Sequence, residues 1–243
     1  MKSRHEFDSF EEVKKHIFKE LGKQHLQPED YENNLQTGDL ILFNGGSNVS
    51  WRIKFWMPYK ITLWSHVGMV VKLEKPKNEA EIGNPSRKKL KAPNFFLAES
   101  AHDGVRLLSL ELVLKNYEGG EPYEGNAIIL RHEDFDFQKN TEPKTIHQRQ
   151  AIITDFVLHS QNTPFDNPDF FRMTFRVLLL RVKFMKKLFW KHYYFRKKPP
   201  FICTELVYHA FEEADIKLPH TSGIISPEDF WYNEKNVPIG VLK

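Results

Sequence analysis

Cysteine occurs once in these 243 residues, as Cys203. A single cysteine excludes an internal disulfide framework and any zinc site built from several thiolates. Long hydrophobic runs are also missing. The aliphatic stretch Val177–Leu180 is four residues, where a bilayer span needs about 20. The opening segment, MKSRHEFDSFEEVKKHIF, has no apolar core of signal-peptide length. Acidic residues are absent from 171–198, which carry ten Lys or Arg. The rest of the chain holds 25 basic against 32 acidic residues, so the net charge of +3 comes from one local stretch. From these absences a cytoplasmic protein is expected, with one basic stretch suited to peripheral contact with a membrane.

What is present is enough to build a core. Hydrophobic residues make up 40% of the chain, with 20 Phe, and charged residues 28%, the balance of a folded globular chain. SFEE at 9–12 predicts a capping box that starts a helix running to about Gly22. QPEDYENNLQTGD reads as a polar connection. Apolar runs then predict strands at 39–43, 65–73 and 94–100, followed by AHDG turn chemistry. VRLLSL and NAIILR predict two more strands. From about residue 140 the period becomes helical up to NTPFDNP. A helix begins at Cys203, and Ser226 with Pro227 starts a short last one. The pattern is α+β, a mostly antiparallel sheet with packed helices, in one domain over 1–243.

Cys203 lies in PPFICTELVYHAF, where the chain turns from proline and apolar residues into a helix. Leu206, Val207, Ala210, Phe211 and Ala214 form that helix's apolar face, and the cysteine projects from the same side. In the first helical turn it lies among unpaired N–H groups and the positive end of the helix dipole. Such a place favours a nucleophilic thiolate, although on position alone an ordinary buried cysteine competes. A catalytic thiol needs a base, and the base an orienting group. His66 begins a strand beside small Ser65 and Gly68, and Glu99 ends the next strand. Antiparallel pairing of these strands brings both to one end of the sheet, where a carboxylate–imidazole hydrogen bond is feasible.

Five signals in this order, TGDLILF, WSHVGMVV, FFLAES with DGVRLLSL, PFICTELVYHAF and ISPEDF, resemble the YiiX/YaeF-like permuted papain-like proteins. The resemblance spans about Thr37 to Phe230, leaving 74–93 and 167–198 unmatched, the latter as a basic aromatic insertion. It implies a circularly permuted papain-like (NlpC-type) fold. It also implies a cysteine hydrolase or acyltransferase acting on an amide or ester bond through an acyl-thioester, with no cofactor. By that resemblance Cys203 is the nucleophile, His66 the base and Glu99 its acidic partner. An acylated small molecule, a lipid or a peptide would be the substrate. A membrane- or lipid-binding module that keeps the fold without catalysis is the alternative.

The basic segment 171–191 sharpens the membrane expectation. On a helical wheel Arg172, Arg176, Lys183, Lys186, Lys187 and Lys191 fall within a sector of roughly 140°, with apolar side chains filling most of the remainder. A helix so divided can lie in an anionic membrane interface, or can simply be a solvated surface helix. The aromatic–basic stretch 51–64, ending at Trp64, would add a second membrane or substrate contact beside His66. Nucleic acid is set aside for want of a recognition motif. RHEDFDF at 131–137 lacks metal-loop spacing, and GDLILFNGG lacks the Gly-Lys-Ser/Thr of a phosphate loop.

Overall fold

In the computed structural model the described residues are 4, 7–45, 62–73, 95–101, 103–115, 125–137, 143–164, 201–218 and 225–242. The strands are β1 (Gln24–His25), β2 (Leu40–Asn44), β3 (His66–Lys72), β4 (Phe95–Ala101), β5 (Gly104–Ser109), β6 (Asn126–His132) and β7 (Asn236–Val241). They form one seven-stranded sheet in the order β1-β7-β6-β2-β3-β4-β5. Every pairing is antiparallel except β1 with β7. The helices are α1 (Phe10–Lys15), α2 (Tyr31–Asn34), α3 (Leu110–Lys115), α4 (Pro143–Ser160), α5 (Cys203–Glu213) and α6 (Pro227–Tyr232). The class is therefore α+β, as the alternation of apolar patterns implied.

The central strands are apolar on both sides because both faces of the sheet are covered. On one face Leu40, Leu42, Val67, Met69 and Ala98 pack against Val207, Ala210 and Phe211 of α5, with α1 and α4 beside it. On the other, Ile41, Phe43, Val70, Leu97 and Ile129 lie under Tyr31, Leu110 and Val113. Fully burying each such side chain contributes about 1.5–3 kcal/mol. LILF is therefore a continuous run rather than an alternating one.

The expected N-terminal helix starts at its cap: the Glu12 N–H donates to Ser9 Oγ at 3.3 Å. The Glu12 carboxylate reaches back one residue further than a capping box needs, accepting from the Asp8 N–H. From His16 to Glu20 the helix widens to a π-helix and stops before Gly22, which has φ +61°. The polar connection that follows is more ordered than its composition suggested. It contains a 3-10 turn at Pro28–Asp30 and α2, and β1 lies just before it. Strand β7 follows α6, which the sequence reading had taken as the last element.

TGDLILF is architectural. Gly38 has φ +95°, and a Cβ there would meet the ring of Phe135. Asp39, fully buried, accepts two hydrogen bonds from Arg131 of β6, each 2.8 Å, and one from the Gln36 N–H. This ion pair closes the end of the sheet remote from His66.

Trp64 corrects an expectation. Its side chain is 0% exposed, edge-on to Phe10 and 5.7 Å from the ring of Trp231. An indole held inside the core faces no membrane; its size made it core material rather than a surface anchor. Arg172, Arg176, Lys183, Lys186 and Lys187 lie outside the described residues. No helix among the described residues is long and apolar enough to cross a membrane.

Candidate active site

Strand register brings His66 and Glu99 together. In the β3–β4 pair, Met69 lies opposite Ala98, and carrying that register on sets Glu99 opposite Gly68. His66 is then the diagonal neighbour of Glu99 on the same face, within reach of a long side chain. The Gly68 position is already filled by Leu97, whose side chain occupies the space a Cβ would take. The His66 Nε2 lies 2.8 Å from Glu99 Oε2.

Glu99 is fully buried, and its second oxygen is engaged as well. Arg106 lies directly opposite it across the β4–β5 hairpin. The guanidinium Nε donates to Glu99 Oε1 at 2.8 Å, and Nη2 stands 2.7 Å from the same oxygen. Burial by itself pushes the Glu99 carboxyl up, but His66 and Arg106 outweigh it and hold the group below the usual carboxylate range. Arg106 escaped the sequence reading. The signal was there: with AHDG as a tight turn, pairing outward from Ala101 and Gly104 leads to Glu99 opposite Arg106.

Cys203 is the first residue of the 11-residue helix α5, and its thiol is partly exposed. Phe201 and Ile202 before it are buried, and the Ile202 N–H donates to Glu205 Oε2 at 3.0 Å, capping the turn. The thiol lies near enough to the His66 ring to act on its protonation by charge and hydrogen bonding. With Nε2 committed to Glu99, Nδ1 is the nitrogen left for the sulfur. Burial pulls the imidazole pKa down, but it is offset by the charge and hydrogen bond of Cys203 and then by those of Glu99. The balance pushes His66 up to about 10. The ring keeps 21% of its surface exposed, so its burial is incomplete.

Cys203, His66, Glu99 and Arg106 thus form one polar chain, from a thiol at a helix N-terminus to a guanidinium on the edge strand. An imidazolium bonded to a buried carboxylate can hold a thiolate beside it, and the imidazole can exchange a proton with a reacting group.

The motif ISPEDF supports the site from behind. Asp229 Oδ2 accepts from both the N–H and the hydroxyl of Ser226, closing the first turn of α6. Glu228, fully buried, accepts the Trp64 N–H at 2.7 Å. It thereby pins the backbone two residues before His66. The neighbouring Ser65 hydroxyl donates to the Phe43 carbonyl, joining β2 to the same corner.

Both oxygens of Glu99 are occupied by Arg106 and His66. Among the described residues no three His, Cys, Asp or Glu side chains gather in a way that could hold a metal ion.

Comparison with protein-family models found no match. Comparison with curated proteins found none either. Among solved structures, the chain is similar to the metalloprotein YiiX from Escherichia coli O157:H7, with 14% sequence identity and a TM-score of 0.45 over 86% of this chain and 88% of that one.

Proposed function

We propose that the protein is a permuted papain-like cysteine enzyme, a hydrolase or acyltransferase that opens an amide or ester bond. The observation that carries this reading is the continuous chain Cys203–His66–Glu99–Arg106. In the reaction the Cys203 thiolate attacks the substrate carbonyl carbon, forming a C–S bond while the C=O π electrons move to oxygen. The backbone N–H of Cys203, in the open first turn of α5, supports one oxyanion contact. Collapse of the tetrahedral species expels the amine or alcohol, which takes its proton from His66. The acyl-thioester then passes its acyl group to water or to another acceptor, which surrenders a proton to His66 and restores the thiolate. Glu99 keeps the imidazole oriented, and Arg106 keeps Glu99 ionised.

The substrate class follows from the setting of Cys203 less directly. A basic, aromatic segment immediately precedes the cysteine helix in sequence, which suits acylated lipids or N-acyl compounds at an anionic surface. The test is an activity screen against acyl-amide and phospholipid panels, with Cys203→Ala as control. Turnover that disappears in Cys203→Ala supports the reading; turnover that persists refutes it.

A further inference from the structure

Strand β4 ends with two adjacent residues whose side chains leave on opposite faces. Glu99 falls on the face of Leu97, with His66, and Ser100 falls on the face of Ala98, toward α5. Ser100 is 1% exposed, and its hydroxyl donates to the carbonyl oxygen of Phe201 at 2.6 Å. That is short for a hydroxyl–oxygen bond. Phe201 is itself buried, its ring 6.0 Å from that of Phe156 and packed with Val105 and Leu206. Only Ile202 separates it from Cys203, and the Ile202 N–H is held by Glu205.

We infer that Ser100 is a positioning residue, which sets the distance between the Cys203 thiol and the His66 imidazole. The inference rests on the cysteine reading above. The dipeptide Glu99–Ser100 grips the imidazole through one side chain and the segment delivering the thiol through the other. Because the two residues are covalently adjacent, both halves of the pair are referred to a single point of the backbone. Without the hydroxyl, the Phe201 carbonyl loses its buried donor and the start of α5 is free to shift along the end of the sheet. A displacement of about 1 Å in such a pair is enough to cost roughly a hundredfold in reactivity.

The experiment measures alkylation of the one cysteine by iodoacetamide from about pH 5 to 10, in the full chain. The wild-type chain reacts faster near pH 6 than the same chain unfolded in urea, because the imidazole stands beside the sulfur. In Ser100→Ala the rate near pH 6 falls by about tenfold or more, toward that of the unfolded chain. Thr37→Val is the comparison. The Thr37 Oγ1 accepts the Lys72 N–H at 2.9 Å, at the other end of β3. That variant loses stability while its alkylation profile stays with the wild type. If Ser100→Ala is too unstable to titrate, it is run at about 5 °C with the osmolyte TMAO, which strengthens burial. Ser100→Thr, which keeps the hydroxyl, is run beside it and retains the low-pH reactivity. A Ser100→Ala profile that superimposes on the wild type overturns the inference and leaves the cysteine reading standing. A wild-type rate near pH 6 no faster than that of the unfolded chain overturns the cysteine reading, and the role of Ser100 with it.

Discussion

Replacing Glu99 by Gln tests the middle of the polar chain, because it removes a charge while keeping the shape. The carboxylate accepts from Arg106 Nε at 2.8 Å and meets His66 Nε2 at 2.8 Å. An amide has one acceptor oxygen, so it can serve only one of these neighbours. If the oxygen keeps Arg106, the NH2 group faces His66 and forces Nε2 to accept, which leaves a proton on the nitrogen beside the thiol. If it turns round, the NH2 group faces the guanidinium. Removing one charge of a buried pair costs about 3–5 kcal/mol. Arg106 and His66 are 18% and 21% exposed and recover some hydration, so about 2–3 kcal/mol is expected. In a chain of this size that lowers Tm by roughly 4–12 °C.

The pH dependence of that loss has two limits. Glu99 has its pKa lowered from 4.5, so its stabilisation is present above that value and fades as pH falls through the folded pKa. His66 has its pKa raised from 6.5 to about 10, so its share is full below 6.5 and is lost as pH rises through about 10. The wild-type advantage over Glu99→Gln is therefore greatest near neutrality and shrinks at both extremes. Urea unfolding at about pH 3, 7 and 10 reads it directly. An advantage of the same size at all three, or none at neutral pH, would refute the reasoning.

Three further outcomes are expected. Cys203→Ala abolishes turnover and alkylation but changes the free energy of urea unfolding by less than about 1 kcal/mol, since one small side chain replaces another; His66→Ala is nearly as damaging to turnover. Asp39→Asn, at the remote end of the sheet, costs about 2–3 kcal/mol in unfolding experiments yet leaves the iodoacetamide profile unchanged; a changed profile would mean that the two ends are coupled. Binding to anionic vesicles weakens as salt rises and falls when Lys183, Lys186 and Lys187 are changed to Glu, as measured by co-sedimentation; equal binding to neutral vesicles, or none to either, makes a soluble amide the better substrate.

The sheet strands and the cysteine helix were legible because each is an apolar segment with local punctuation. β7 was not, because NVPIGV holds a proline and a glycine, which argue against a strand. The structure accommodates Pro238 beside a register shift between Ile129 and Leu130 of β6. β1 and α2 were hidden in a polar stretch and owe their order to neighbours: the Leu26 N–H, just past β1, donates to the Val241 carbonyl. The nearness of His66 to Glu99 was legible from strand order, and the helix start at Cys203 from its local pattern. Arg106 needed only hairpin register. Ser100 and Glu228 could not be found locally, since their partners lie 101 and 164 residues away. Trp64 was misplaced because composition cannot tell an interfacial indole from a core one.

The same separations govern when the site can exist. The imidazole and its carboxylate belong to a neighbouring strand pair, whereas Phe201, which leads into the cysteine helix, and the Glu228 anchor come from much later in the chain, across closures of 101 residues to Ser100 and 164 to Trp64. Closing such loops is entropically costly and slow compared with pairing neighbours. During synthesis at about 5–20 residues per second, the strand pair is made several seconds before the cysteine is added. The imidazole and carboxylate therefore wait for the sulfur, and the thiol meets His66 only when the sheet is ready to receive α5. On the cysteine reading proposed above, a growing chain built this way carries no activated nucleophile until its core has largely closed.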